Sequence, residues 1–139
     1  MKPTRLALPL ILVFLSVQAF AQSDAQKSFT KLKTLSGVWE GNVTTDLKVA
    51  APLENMPMHV VLRTTSRGNA LMHEMTSAGS PDDPITMFYL DEDRVLLTHY
   101  CDAGNRPRME GKLSVDGKTL EFTFLDVVGN NLNQHMHHG

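Results

Sequence analysis

One stretch of the sequence concentrates the side chains that could do chemistry. The only cysteine, Cys101, stands two residues after His99, and Arg106 and Arg108 follow on either side of a proline. The apolar run Val95–Leu97 precedes them. Many binding sites are built from reactive side chains that end a buried strand and are followed by a polar loop. The sequence therefore predicts a site here, without identifying its ligand.

Metal binding is one chemistry that this stretch permits, through an interior cluster of His73, His99 and Cys101 with Met75 nearby. Two residues apart on a strand, His99 and Cys101 would share a face at a separation of about 7 Å, given a rise of roughly 3.3 Å per residue. That distance is wide for one ion, so a transition metal would need a third ligand from another strand. The alternative is that His99 donates a hydrogen bond inside the fold and Cys101 fills space.

Methionine and histidine also occur together in three clusters, and the chain has eight methionines. The clusters are Met56-Pro57-Met58-His59, Met72-His73-Glu74-Met75 and His135-Met136-His137-His138. Thioether and imidazole ligands together suit Cu(I), which adds His135 and His137 to the candidate metal ligands. The alternative is that the methionines pack an irregular core and the terminal histidines form a solvated tail.

Two further chemistries remain open. Cys101 and His99 permit a thiol-dependent enzyme, although no third residue that would orient them can be identified. Arg106 and Arg108 could bind a carboxylate or phosphate group, or pair with neighbouring acids on an exposed loop. The sequence contains no nucleophile elbow, zinc-protease motif, P-loop or dinucleotide fingerprint. We therefore favour a binding protein over an enzyme.

The first 21 residues have the pattern of a signal peptide. Lys2 and Arg5 precede the apolar run Leu6–Val17, and Ala19-Phe20-Ala21 is a small-residue cleavage site. The apolar run is too short for a membrane span. We expect an exported chain, periplasmic or extracellular, in which residues 22–139 form one domain.

The composition of that domain excludes several classes of function. Removal of Lys2 and Arg5 changes the net charge from −2 to −4, which leaves no electrostatic basis for binding nucleic acid or an anionic membrane. A single cysteine also excludes an intrachain disulfide.

The order of secondary structure predicts an antiparallel all-β domain after one short helix. Residues Ser23–Ser36 have helical periodicity and an N-terminal capping residue. Seven short apolar or alternating runs follow, separated by turn clusters. The predicted strands are Val38–Asp46, His59–Thr65, Ala70–Thr76, Ile85–Leu90, Val95–Cys101, Met109–Ser114 and Thr119–Leu125.

Three of the turns predict hairpin registers, because a slip by one residue would exchange the two faces of a strand. The predicted pairs are Leu62 with His73, Val60 with Met75, Leu90 with Val95, Phe88 with Leu97, Thr86 with His99, Leu113 with Leu120, Gly111 with Phe122 and Met109 with Phe124. These registers place His73, His99 and Cys101 on the apolar face.

The sequence Gly37-Val38-Trp39, directly after the predicted helix, resembles the G-x-W start of lipocalin-like (calycin) barrels. Fatty-acid-binding proteins and the haem-binding nitrobindins share that architecture. The resemblance implies an up-and-down barrel in which Trp39 packs across a floor that the helix covers. The segment His99–Met109 also resembles uncharacterised secreted bacterial proteins of this type. The nitrobindin likeness adds haem as an alternative ligand but carries over no residue.

The sequence departs from this pattern at its end, since seven strands are too few for a closed barrel of about eight to ten. We expect either a missing C-terminal segment, which we favour, or a partner that supplies the edge. The predicted function is the binding of a small, mostly apolar ligand inside the barrel, with a metal (copper) or haem module and a thiol enzyme as alternatives. The expected polar contacts are His73, His99, Tyr100, Arg106 and Arg108. The expected apolar lining is Leu62, Met75, Phe88, Leu97, Met109 and Phe122. The oligomeric state stays open.

Overall fold

A computed structural model describes residues 22–44 and 54–130 of the chain. They form one helix followed by seven strands in a single antiparallel sheet. The helix is α1 (Asp24–Lys33), and the strands are β1 (Gly37–Asn42), β2 (Pro57–Thr65), β3 (Ala70–Thr76), β4 (Ile85–Asp91), β5 (Arg94–Tyr100), β6 (Asn105–Leu113) and β7 (Leu120–Gly129). The predicted signal peptide and the histidine-rich tail lie outside the described residues.

Helix α1 begins at a reciprocal capping box. The Ser23 hydroxyl accepts from the Gln26 backbone N–H at 3.2 Å, and the Ser23 N–H donates to the Gln26 side chain at 3.0 Å. Such a cap satisfies backbone donors that a helix start otherwise leaves unpaired. At the other end, Lys33 lies over the Phe29 ring and its Nζ donates to the Gly68 carbonyl. The cap is internal to the helix, whereas the Lys33 hydrogen bond joins its C-terminal end to the turn between β2 and β3.

The strands follow one another as an up-and-down meander, in the order β1 to β7. All eight predicted cross-strand pairs are confirmed. A β-bulge interrupts the last hairpin, because Met109 pairs with Phe124 while Arg108 pairs with Asp126, so Leu125 is an extra residue. An extra residue shifts the side chains that follow it to the other face.

The helix packs on one face of the sheet, which we call the helix-bearing face. Phe29 of α1 forms a buried cluster with Leu71 and Val95, and side chains of half-buried residues surround it. Those neighbours are Ala25, Leu32, Leu62, Phe88, Leu90 and Phe122. The core thus lies between α1 and the start of β5, where apolar side chains from several strands point to the same face.

Among the described residues the sheet does not close into a barrel, since β1 pairs only with β2 and β7 only with β6. The antiparallel all-β prediction and the short helix are confirmed. No helix of the described residues is long and apolar enough to cross a membrane.

Candidate functional site

Three polar side chains lie side by side in one row on the helix-bearing face. Cross-strand pairing places Thr86 of β4 between His73 of β3 and His99 of β5. Thr86 Oγ1 and His99 Nδ1 are 2.8 Å apart, within hydrogen-bond distance. The His73 ring lies 6.4 Å from the ring of Phe88, and burial lowers the pKa of its imidazole. His73 is therefore held in its neutral form among apolar neighbours.

This row borders a part of the helix-bearing face that α1 does not cover. We use the term uncovered patch for residues of the helix-bearing face that lie outside the cluster packed on α1 and extend across the sheet from β1 to β7: Trp39, Val60, His73, Met75, Met109 and Phe124. Trp39 is 52% exposed and Phe124 is 47% exposed. Contiguous exposed apolar surface is a usual feature of binding sites.

Trp39 connects this patch to the end of the helix. Its Nε1 donates to the Leu35 carbonyl at 3.0 Å, and the cross-strand neighbour of Trp39 is Val60. The resemblance to lipocalin-like barrels implied a tryptophan packed across a covered floor. In the described residues the indole contacts the end of the helical segment, but about half of its surface remains exposed.

Cys101 does not share the strand environment of His99, because β5 ends at Tyr100. The Cys101 sulfur lies instead in a loop, where its possible ligand atom and those of Asp82 and Asp102 are all within 4.8 Å of one another. The Asp102 backbone N–H donates to Asp82 Oδ1 at 3.2 Å, which joins the two loops. No other group of three His, Cys, Asp or Glu side chains within residues 22–44 and 54–130 is close enough to hold a metal.

This arrangement separates the predicted metal ligands. His99 does not belong to the group around Cys101, and His135 and His137 lie outside the described residues. The side chains grouped with the Cys101 thiol are the carboxylates of Asp82 and Asp102, not an imidazole. The geometry gives no support to the thiol-enzyme alternative.

Arg106 and Arg108 were expected on a loop, but β6 begins at Asn105 and includes both. Alternation along β6 places them on the face opposite His73 and His99. Arg108 donates to Asp126 through Nε at 2.7 Å and through a second bond from Nη2. This bidentate pair raises the pKa of the Arg108 guanidinium and lowers the pKa of the Asp126 carboxyl. Arg108 is therefore engaged within the protein rather than presented to a ligand.

Tyr100 also lies on this opposite face, where it pairs with Ile85 and is exposed. Tyr89 on the same face has its hydroxyl 3.2 Å from Thr98 Oγ1. The structure thus divides the five predicted ligand contacts, with His73 and His99 on one face and Tyr100, Arg106 and Arg108 on the other. Two acidic residues were not predicted to take part, Asp82 beside Cys101 and Asp126 opposite Arg108. Strand alternation would have indicated Asp126, but the extra residue Leu125 breaks that alternation.

Comparisons of the chain with known protein families, with curated proteins and with solved structures found no match.

Proposed function

We propose that this chain is a lipocalin-like binding protein that takes a small, mostly apolar ligand on the uncovered patch. One observation carries the proposal. Helix α1 packs over the buried side chains of Leu71 and Val95 on the helix-bearing face. Trp39 and Phe124, on the same face, remain about half exposed. Binding sites for small molecules combine apolar and aromatic surface with few polar groups.

The polar groups available there match a ligand with little charge. Neutral His73 and the pair of Thr86 Oγ1 and His99 Nδ1 provide hydrogen-bonding groups on this face. The arginines that could hold an anion lie on the other face. A neutral, mainly apolar molecule with one or two polar atoms is the ligand class that fits.

Two variants of one strand test this proposal. Val60 and Val61 of β2 are both half-buried, but Val60 lies on the helix-bearing face and Val61 on the opposite face. We expect Val60→Lys to weaken binding of the neutral fluorescent probe Nile red, because it places a charge on the patch. Val61→Lys serves as the matched control and should bind the probe as the unaltered protein does.

Equal binding of the probe by the two lysine variants would refute the proposal. Native mass spectrometry of the purified protein provides a second measurement, since a ligand bound during expression would appear as added mass. That mass should be lost in the Val60→Lys variant and retained in Val61→Lys.

A further inference from the structure

A second apolar cleft lies outside the uncovered patch, between the end of α1 and the β6–β7 hairpin. Its volume is about 290 Å³, which is at the small end of ligand sites. Leu32 and Leu35 line it from the helical side, and Leu113 and Leu120 line it from the hairpin. We call it the helix–hairpin cleft, and it shares no residue with the patch.

The charged side chains of this cleft are both cationic. Lys31 and Lys118 line it, and no aspartate or glutamate of residues 22–44 and 54–130 does, although the protein as a whole has a net negative charge. The two hydroxyls in the lining are already engaged as donors. Ser28 Oγ donates to the Asp24 carbonyl at 2.7 Å, and Thr34 Oγ1 donates to the Lys31 carbonyl at 2.6 Å. Positive charge is thus the main polar feature that the cleft offers a ligand.

The two lysines are not equivalent. Lys31 Nζ donates to the Gly117 carbonyl, so part of its hydrogen-bonding capacity is used to hold the helix to the hairpin. The C-terminal end of α1 lies just before Leu35, and its carbonyl groups carry partial negative charge. That charge disfavours an anion on the helical side of the cleft. Lys118, on the hairpin side, is therefore the better position for an anionic group.

We propose that the helix–hairpin cleft binds a short-chain to medium-chain carboxylate, with its head group at Lys118 and its hydrocarbon chain against the four leucines. A monoanion suits one lysine that is available and a second that is partly engaged. A short chain suits the small volume of the cleft.

Isothermal calorimetry with a homologous series tests the chain and the charge separately. Octanoate should bind roughly fifteenfold more tightly than hexanoate, because it has two more methylenes and each buried methylene strengthens binding by a factor of about four. Dodecanoate should gain no comparable factor, since the cleft is too small to bury the added chain. Octan-1-ol, which has the same chain without the charge, should bind about fivefold more weakly than octanoate.

Two lysine variants on one hairpin locate the site. Lys118→Gln should weaken octanoate binding about fivefold, the effect of losing one exposed ion pair, and should leave octan-1-ol binding unchanged. Lys112→Gln is the matched control, because Lys112 is exposed on the same hairpin and lies outside this cleft. Asp116→Asn should strengthen octanoate binding, because Asp116 interacts electrostatically with Lys31.

The proposal is overturned if octanoate fails to bind, if it binds no tighter than octan-1-ol, or if the two lysine variants bind it equally. Octanoate binding that falls in Val60→Lys but not in Lys118→Gln would also overturn it, and would place the ligand on the uncovered patch instead. The proposed function and this inference therefore fail by different results.

Discussion

The replacement of Gly111 by alanine tests how the last hairpin packs against the core. A Cβ atom built on Gly111 would lie 2.8 Å from Cε1 and 3.1 Å from Cζ of Phe122, its cross-strand neighbour. The Phe122 ring cannot simply turn away, because it packs against Phe88 at 5.5 Å between ring centroids. Glycine is needed here for space rather than for an unusual backbone conformation.

Two opposing effects set the expected magnitude for Gly111→Ala. Overpacking of a filled core costs about 1–3 kcal/mol. The lower entropy of the unfolded alanine chain offsets this by about 0.4–1 kcal/mol. We expect a net loss of about 1–2 kcal/mol in the free energy of unfolding. With a urea dependence of about 1–3 kcal/mol per molar, the urea midpoint should fall by roughly 0.5–1 M.

Gly41 provides the matched control, since it is also a strand glycine but has no atom of the described residues within 4 Å of a built Cβ. Gly41→Ala should be neutral or slightly stabilising. In the double variant Gly111→Ala/Phe122→Leu, the shorter side chain relieves the clash, so the two effects should not add. Equal urea midpoints for Gly111→Ala and Gly41→Ala, measured at an unchanged slope, would refute this account of the hairpin.

Three further predictions concern His73, the helix cap and Cys101. Burial lowers the pKa of His73 below its ordinary value of 6.5, so the unfolded chain takes up a proton first and stability should be lost as pH falls below about 6.5. Urea midpoints measured between pH 7 and pH 5 should show a smaller loss for His73→Gln than for the unaltered protein. Equal losses in the two proteins would contradict the assignment. Ser23→Ala removes the capping hydroxyl and should cost about 1 kcal/mol in thermal or urea unfolding, and an unchanged midpoint would show that the cap does not limit stability. Cys101 should react more slowly with an anionic disulfide reagent than with a neutral one, because the nearby carboxylates repel the anion. Asp82→Asn should bring the two reaction rates closer together. If the ratio of the two rates does not change in this variant, the Asp82 carboxylate does not lie close to the Cys101 thiol.

Much of the sheet could be predicted because alternation and turn chemistry are local. The turn at Asp116-Gly117 and the alternating apolar residues around it predicted the pairing of Gly111 with Phe122, which the structure confirms. The same reasoning placed His73 and His99 on the apolar face. It failed at Leu125, where one extra residue in β7 breaks the period of two and brings Asp126 opposite Arg108.

The candidate site was less accessible to sequence reasoning. The spacing of His99 and Cys101 predicted a shared face, but β5 ends between them and the thiol lies beside carboxylates from two loops. Arg106 and Arg108 were expected to lie at the same site as His99, yet continuation of β6 through Asn105 places them across the sheet. Both errors arose at strand ends, where pairing with a neighbouring strand decides how far the extended backbone continues.

The all-β class, the order of the elements and the registers of three hairpins follow from local sequence, because they depend on side-chain period and on turn residues within a few positions. The tertiary structure decided which apolar surface the helix covers, how Lys31 and Lys118 come to share a cleft, and which acids surround Cys101. These features depend on contacts between segments that are distant along the chain. Their geometry arises only when the whole sheet and the helix pack together.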